Sequence, residues 1–491
     1  MSEKEYEMGK NQLVFSSLMW RFLERCGAQG VTFVVSIILA RILDPEVYGT
    51  IALVTVFTTI MQVFVDSGMG NALIQKKDSD DLDFSSVFYF NIVVCAMLYV
   101  VMFFLAPFIS AFYKNPELTP VIRVLSLIII ISGVKNVQQA YVSKNMLFKR
   151  FFFSTLGGTI GAAIVGIIMA YNGFGVWALV IQMLFNATVD TTILWITVEW
   201  RPKKNFSFQR LRRLFTYGWK LLLSSLLDTV YNDLRQLIIG KIYTKEDLAF
   251  YNQGDKFPKL IVTNINTSID SVLLPTMAQV QDDHKAVKNM TRRSIKISTY
   301  VMMPLMTGLA VCANPLVSLI LTEKWLPCVP FLRIFCFSYA FWPIHTANLN
   351  AIKAMGRSDL FLKLEIIKKI VGIVLLISTM FISVKAMAYS LLVSSVLGQI
   401  INAWPNKKLM NYSYLEQLKD MLPQICMSVF MGTIVLTIQF LHFSNLSVLI
   451  IQITVGILVY WLGSKIFHID SYEYVRLTIV KMLGKNEKEE V

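Results

Sequence analysis

Residues 217–243, YGWKLLLSSLLDTVYNDLRQLIIGKIY, read as an apolar helix long enough to cross a bilayer, yet they carry Asp228, Asp233 and Arg235. An ionisable side chain at that depth costs about 2.5–3.5 kcal/mol on insertion scales, so it faces water or a partner and marks a transport path. At helical spacing Ser224, Asp228, Asn232 and Arg235 share one face, which reads as part of a polar lumen. Further cations sit in other apolar stretches. Arg21 and Arg25 lie one turn apart with Glu24 beside them, Lys135 shares a face with Gln138 and Gln139, Lys256 and Lys259 lie near the polar residues of one helix, and Arg333 starts a face reaching His345 and Asn348. Were these faces to converge, they would make a cationic chamber suited to an anionic ligand such as a diphosphate, which arginine grips with paired donors. Acidic and polar groups, Asp66, Asp228, Asn232, Asp233, Asp255, Asp270, His345 and Asn348, are candidates for gating or for coupling to an ion.

Simpler readings stand beside these. Arg21, Arg25 and Lys135 lie within snorkelling reach of an interface, Arg235 can neutralise an aspartate of its own helix, and a lone buried histidine is usually a hydrogen-bonded core residue. No chemistry beyond binding is implied. The chain has no GxxxxGK[ST] phosphate loop, no HExxH, no GxSxG and no kinase signature, so neither a nucleotide-driven pump nor an enzyme has a motif in its favour. The six cysteines show no CxxC pair and no histidine cluster, so no metal site is expected.

The elements that must position these residues follow from composition. The chain has 491 residues, 55% hydrophobic and only 16% charged, with a mean hydropathy of +0.56. Soluble domains carry about 25% charged residues, so this is an all-α integral membrane protein. Fourteen spans are predicted: six in an N-lobe (1–198), a cytoplasmic linker (199–213), six in a C-lobe (214–404), two more helices (405–467) and a cytoplasmic tail (468–491). The lobes read as an internal repeat, because IILARILDPEVYG (37–49) aligns with LIIGKIYTKEDLA (237–249) in its apolar run, basic residue and acidic connector. The polar stripe containing Asp66 then corresponds to that containing Asp255 and Asp270.

The net charge of +14 is a topology signal. Loops around 76–77, 144–150, 201–213, 285–296, 353–357 and 407–408 carry twenty Lys and Arg against six on the other side, which places the first set and both termini in the cytoplasm. Contacts with membrane lipid headgroups are secondary, and no nucleic-acid partner is implied.

RILDPEVYGTIAL (41–53), VDSGMGNALIQKKD (65–78), YNQGDKFPKL (251–260) and LLPTMAQVQDD (273–283) resemble segments of the polysaccharide transport family of bacterial flippases, the O-antigen flippase group. That group belongs to the superfamily that includes the MATE drug exporters and the lipid II flippases. The resemblance implies a protein of the bacterial cytoplasmic membrane that flips undecaprenyl-diphosphate-linked oligosaccharide by alternating access, working with other membrane proteins of polysaccharide assembly. It carries cavity cations onto Arg21, Arg25, Arg235, Lys256, Lys259 and Arg333 by helix and face. It implies no cofactor and leaves Na+ or H+ coupling open. The competing readings are a cation-coupled exporter using Asp66, Asp228 and Asp233, and a membrane glycan polymerase or ligase.

Overall fold

The computed structural model describes residues 3–66, 69–76, 78–440 and 443–482, and among them every regular element is a helix. In a bilayer this is dictated by the backbone, whose N–H and C=O groups must be paired inside each segment. The helices are α1 (Glu3–Ile42), α2 (Pro45–Asp66), α3 (Met69–Gln75), α4 (Asp81–Tyr113), α5 (Leu118–Leu125), α6 (Leu127–Lys144), α7 (Phe148–Tyr171), α8 (Val176–Thr197), α9 (Phe208–Ile242) and α10 (Lys245–Ala278). They continue with α11 (His284–Val311), α12 (Ala313–Leu321), α13 (Val329–Ala340), α14 (Trp342–Ala354), α15 (Ser358–Thr379), α16 (Val384–Met410), α17 (Tyr414–Thr437), α18 (Asn445–Ile466) and α19 (Asp470–Met482). The chain divides into two compact units, 1–249 and 250–491.

Eleven helical segments among the described residues are long and apolar enough to cross a membrane. Their burial is the reverse of a soluble protein's: only 17% of the most apolar window, within α4, is buried, and Phe104 and Phe108 there are 66% and 72% exposed. Such a surface belongs in hydrocarbon. Three other long helices, α9, α10 and α15 with 35, 34 and 22 residues, are not among the eleven, and each carries several charges. Those charges become the question of the site.

In the first unit, small residues of α7 let α8 approach closely. A Cβ on Gly158 would sit 2.8 Å from Asn186 Oδ1, and one on Gly166 would sit 2.9 Å from Gln182, so the glycine face is used for packing. The residues joining α8 to α9 are fastened rather than loose. The Lys203 and Ser207 amides donate to the hydroxyls of Ser85 and Ser86 on α4, Gln138 donates to the Trp200 carbonyl, and Arg210 pairs with Asp80 at 2.6 Å. Asp80 also caps α4 in a reciprocal capping box with Asp83.

Prolines inside helices leave carbonyls without donors, and the fold supplies them from elsewhere. Pro107 frees the carbonyl of Phe103, which accepts from Arg123 Nε at 3.2 Å while the guanidinium lies 4.1 Å from the Phe103 ring centroid. In the second unit Pro304 frees the Tyr300 carbonyl, which accepts from Tyr460 Oη at 2.8 Å. Pro315, in the first turn of α12, frees the Val311 carbonyl, which accepts from Gln439 Nε2 at 2.8 Å. Both of the latter donors come from the C-terminal pair α17–α18 and the 3-10 turn between them. That pair is also held near the start of α17, where Arg292 and Lys296 of α11 pair with Glu416 and Asp420 of α17 and Lys296 reaches Asp470 of α19 at 2.9 Å.

Candidate polar sites at membrane depth

In the first unit α2, α6 and α8 bring together Asp66, Lys135 and Asp190. Lys135 Nζ lies 2.7 Å from Asp190 on α8, with side chains 21% and 12% exposed. The next residue, Asn136, donates to Asp66 Oδ1 at 3.3 Å; Gln62 donates to the same oxygen at 3.3 Å, and Asn91 donates to Asn136 Oδ1 at 3.4 Å. α2 ends at Asp66, so the carboxylate is exposed at a helix end and tied to α6 through an amide. Asp190, Asn91 and Asn136 were not among the sequence candidates. Asp190 is the one charged residue of the 176–197 stretch, the only local signal that could have pointed to it.

On α9 the predicted face divides. Ser224, Asp228 and Asn232 are exposed and Asp233 is half-buried, with Gln236 donating to it at 3.4 Å. Arg235 instead is 6% exposed, and its Nε and Nη2 have no hydrogen-bond partner. A guanidinium cannot discard its charge, and among the described residues no acceptor is bonded to those two nitrogens. On α1, Arg25 is exposed and Glu24 half-buried, while the side chain of Arg21 lies outside the described residues.

In the second unit much of the predicted lumen stripe on α10 is tied to α13 and α14. Tyr339 Oη donates to Asp255, whose other oxygen is 3.5 Å from Lys259 Nζ. Thr346 donates to Asn266 at 2.6 Å, and Asn350 donates to Asp270 at 2.9 Å. Lys259 is 57% exposed and Lys256 half-buried. Arg333 is turned to the Ala310 carbonyl at 3.1 Å, because the helix break between α11 and α12 leaves that end of α11 in need of donors. Its helix then stops at Ala340, so the long face from Arg333 to Asn348 expected from the sequence is split between α13 and α14.

His345 bonds Asn402 through Nδ1 at 3.1 Å, as a core histidine does. Asn348 is fully buried in an amide triad with Gln417 and Asn406, at 3.0 and 2.7 Å, which joins α14, α16 and α17. The sequence reading also passed over α15, which carries Lys363, Glu365, Lys368 and Lys369. Lys368 lies 2.6 Å from Glu365, and a Cβ on Gly398 would touch both Lys368 and His345.

A model of the family described as polysaccharide biosynthesis protein matches residues 38–330, more than half of the chain. The chain belongs to that family. Its similarity to named relatives is distant but extended. It is 23% identical over 339 residues to the succinoglycan biosynthesis transport protein ExoT of Rhizobium meliloti (strain 1021), covering 69% of this chain and 68% of that one. It is 22% identical to the lipopolysaccharide biosynthesis protein WzxC of Escherichia coli (strain K12), covering 74% of each. Among solved structures it shares its fold with a lipid II flippase, MurJ, in an inward closed conformation, at a TM-score of 0.76 and 16% identity over 92% of this chain and 99% of that one. An inward-facing MATE transporter follows at a TM-score of 0.61 and 15% identity, over 78% and 96%. The family member described here is therefore a multi-pass membrane protein with a MurJ-like fold.

Proposed function

We propose that this protein is a flippase that moves undecaprenyl-diphosphate-linked oligosaccharide, the repeat unit of a surface polysaccharide, across the bacterial cytoplasmic membrane. The family, the transport protein named for succinoglycan and the fold shared with a lipid II flippase support this reading. The observation that carries it is Arg235, a buried guanidinium with unmatched donors on one of the three long charged helices. A diphosphate offers the paired acceptors that such a group lacks. The exposed cations Arg25 and Lys259 extend the path, with the headgroup and sugars in water and the prenyl chain left in lipid. α9, α10 and α15 complete a count of fourteen spans, and both termini are cytoplasmic. The protein carries out no covalent chemistry.

Export of surface glycan by a deletion strain carrying Arg25→Ala, Arg235→Ala or Lys259→Ala tests the reading. The expected result is loss of export with the variant protein still present in the membrane. Wild-type export from all three removes the cationic path. Protection against cationic dyes, with glycan unchanged, would instead favour a cation-coupled exporter acting through Asp66, Asp228 and Asp233.

A further inference from the structure

The Phe103 carbonyl freed by Pro107 needs one donor, and Arg123 brings five. Nε meets the carbonyl at 3.2 Å and the guanidinium lies 4.1 Å from the Phe103 ring centroid, which fixes the group while leaving Nη1 and Nη2 without a hydrogen-bond partner among the described residues. Arg123 lines a pocket of about 380 Å3 between α4 and α5, together with Tyr99, Phe103, Thr119 and Leu127. Tyr99 and Thr119 each bring a hydroxyl, and no residue of the lining is acidic. Val100, Phe104 and Leu127 beside it are exposed, so the pocket opens toward hydrocarbon. Its depth suits a headgroup. The 33 residues of α4 span about 50 Å against a hydrocarbon core of about 30 Å, so with the excess shared between its ends Phe103, ten residues before Tyr113, lies about 5 Å inside the boundary.

We propose that this pocket holds an anionic phospholipid of the surrounding bilayer, its phosphate on the Nη1 and Nη2 edge of Arg123 and its acyl chains along the exposed face of α4. A permanent charge at that depth needs an anion, and the acids of the packed helices are engaged or distant. On α8, Asp190 pairs with Lys135; on α2, Asp66 accepts from Gln62 and Asn136, and Glu46 pairs with Lys245. On α4, Asp81 and Asp83 lie twenty or more residues from Phe103, about 30 Å along the axis. Glu117, just before α5, is exposed and makes no bond to Arg123. A phosphate supplies the paired acceptors that a guanidinium edge matches. With no carboxylate in the lining to receive an ethanolamine or choline ammonium, the pocket selects a lipid of net negative charge over a zwitterionic one. The site faces bilayer lipid and carries a single cation, so its occupant stays with the protein rather than passing through it.

The test reconstitutes the full-length protein in phosphatidylcholine vesicles doped with phosphatidylglycerol that carries a photoreactive diazirine near its glycerol, and maps the labelled peptides by mass spectrometry. Label is expected within residues 96–127, displaced by plain phosphatidylglycerol and not by added phosphatidylcholine. Arg123→Gln keeps an amide for the Phe103 carbonyl but removes the charged fork, and should lower that label about tenfold, the value of one charge-assisted hydrogen bond. Leu127→Trp fills the mouth of the pocket with Arg123 left in place and should lower it as well. Equal labelling of 96–127 in wild type and Arg123→Gln, or equal displacement by phosphatidylcholine, overturns the proposal. Stronger displacement by undecaprenyl diphosphate than by phosphatidylglycerol also overturns it, because the site would then belong to the transported lipid. Should Arg123→Gln fail to accumulate, Leu127→Trp decides, and unchanged label there refutes the site. The vesicles contain no glycan, so failure here leaves the outcome of the export assay standing.

Discussion

Arg235 shows how far single residues can be read before a fold is known. Its type and position in an apolar stretch marked it as exceptional, and the structure adds that it is buried with unmatched donors. Arg235→Met should therefore stabilise the folded protein, by about 1–3 kcal/mol from the removed desolvation, while glycan export falls. A thermal melt of the purified variant alongside an export assay separates the two effects, and a destabilised variant would mean that the guanidinium has a partner. Lys135 was legible as a cation, but its partner Asp190 was not, because the two are 55 positions apart and no local pattern links them. Arg333 looked like a lumen residue for the same reason. Nothing in its own helix announces that the Ala310 carbonyl needs a donor.

Helices were the most legible level, since apolar length alone marks most spans. What length could not show was where they break. α5 and α6 meet at Ser126 without a glycine, and α13 and α14 meet at Phe341, where Pro343 in the first turn of α14 is a local sign of the break. The segment between α8 and α9 read as a linker, yet its Lys203 and Ser207 amides are bound to Ser85 and Ser86. Its anchor depends on pH. The Arg210 guanidinium hydrogen-bonded to Asp80 holds that carboxyl down at about 2, against roughly 3.9 when unfolded. The native group is the stronger acid, so its contribution is complete above about pH 4 and fades as pH falls toward 2. Limited proteolysis within residues 199–213 should quicken over that window, and Arg210→Ala should show the faster cleavage at neutral pH too. On α11, Tyr460→Phe leaves the Tyr300 carbonyl without its donor. A loss of about 1 kcal/mol is expected in a denaturation measurement, whereas no change would mean that the carbonyl finds another donor.

For the whole chain, the placement of Lys and Arg predicts the orientation that helices alone do not give. Reporter fusions should be active in the cytoplasm after Met410 and outside it after Lys114, and the reverse pattern would invert the predicted topology. The alignment of 37–49 with 237–249 predicts a repeat, and each compact unit holds an aspartate that accepts from an asparagine amide, Asp66 from Asn136 and Asp270 from Asn350. Sequence could not reveal that Asn91 reaches Asn136 across a helix pair, 45 positions away. The borrowed hydroxyl at Tyr300 bears finally on how the protein is made. Its donor is 160 residues downstream, and a ribosome adding about 5–20 residues per second needs roughly 8–32 s to reach it. Throughout that interval the nascent α11 has a bare carbonyl, so the insertion machinery or a transient neighbour must shelter it until the last helices emerge.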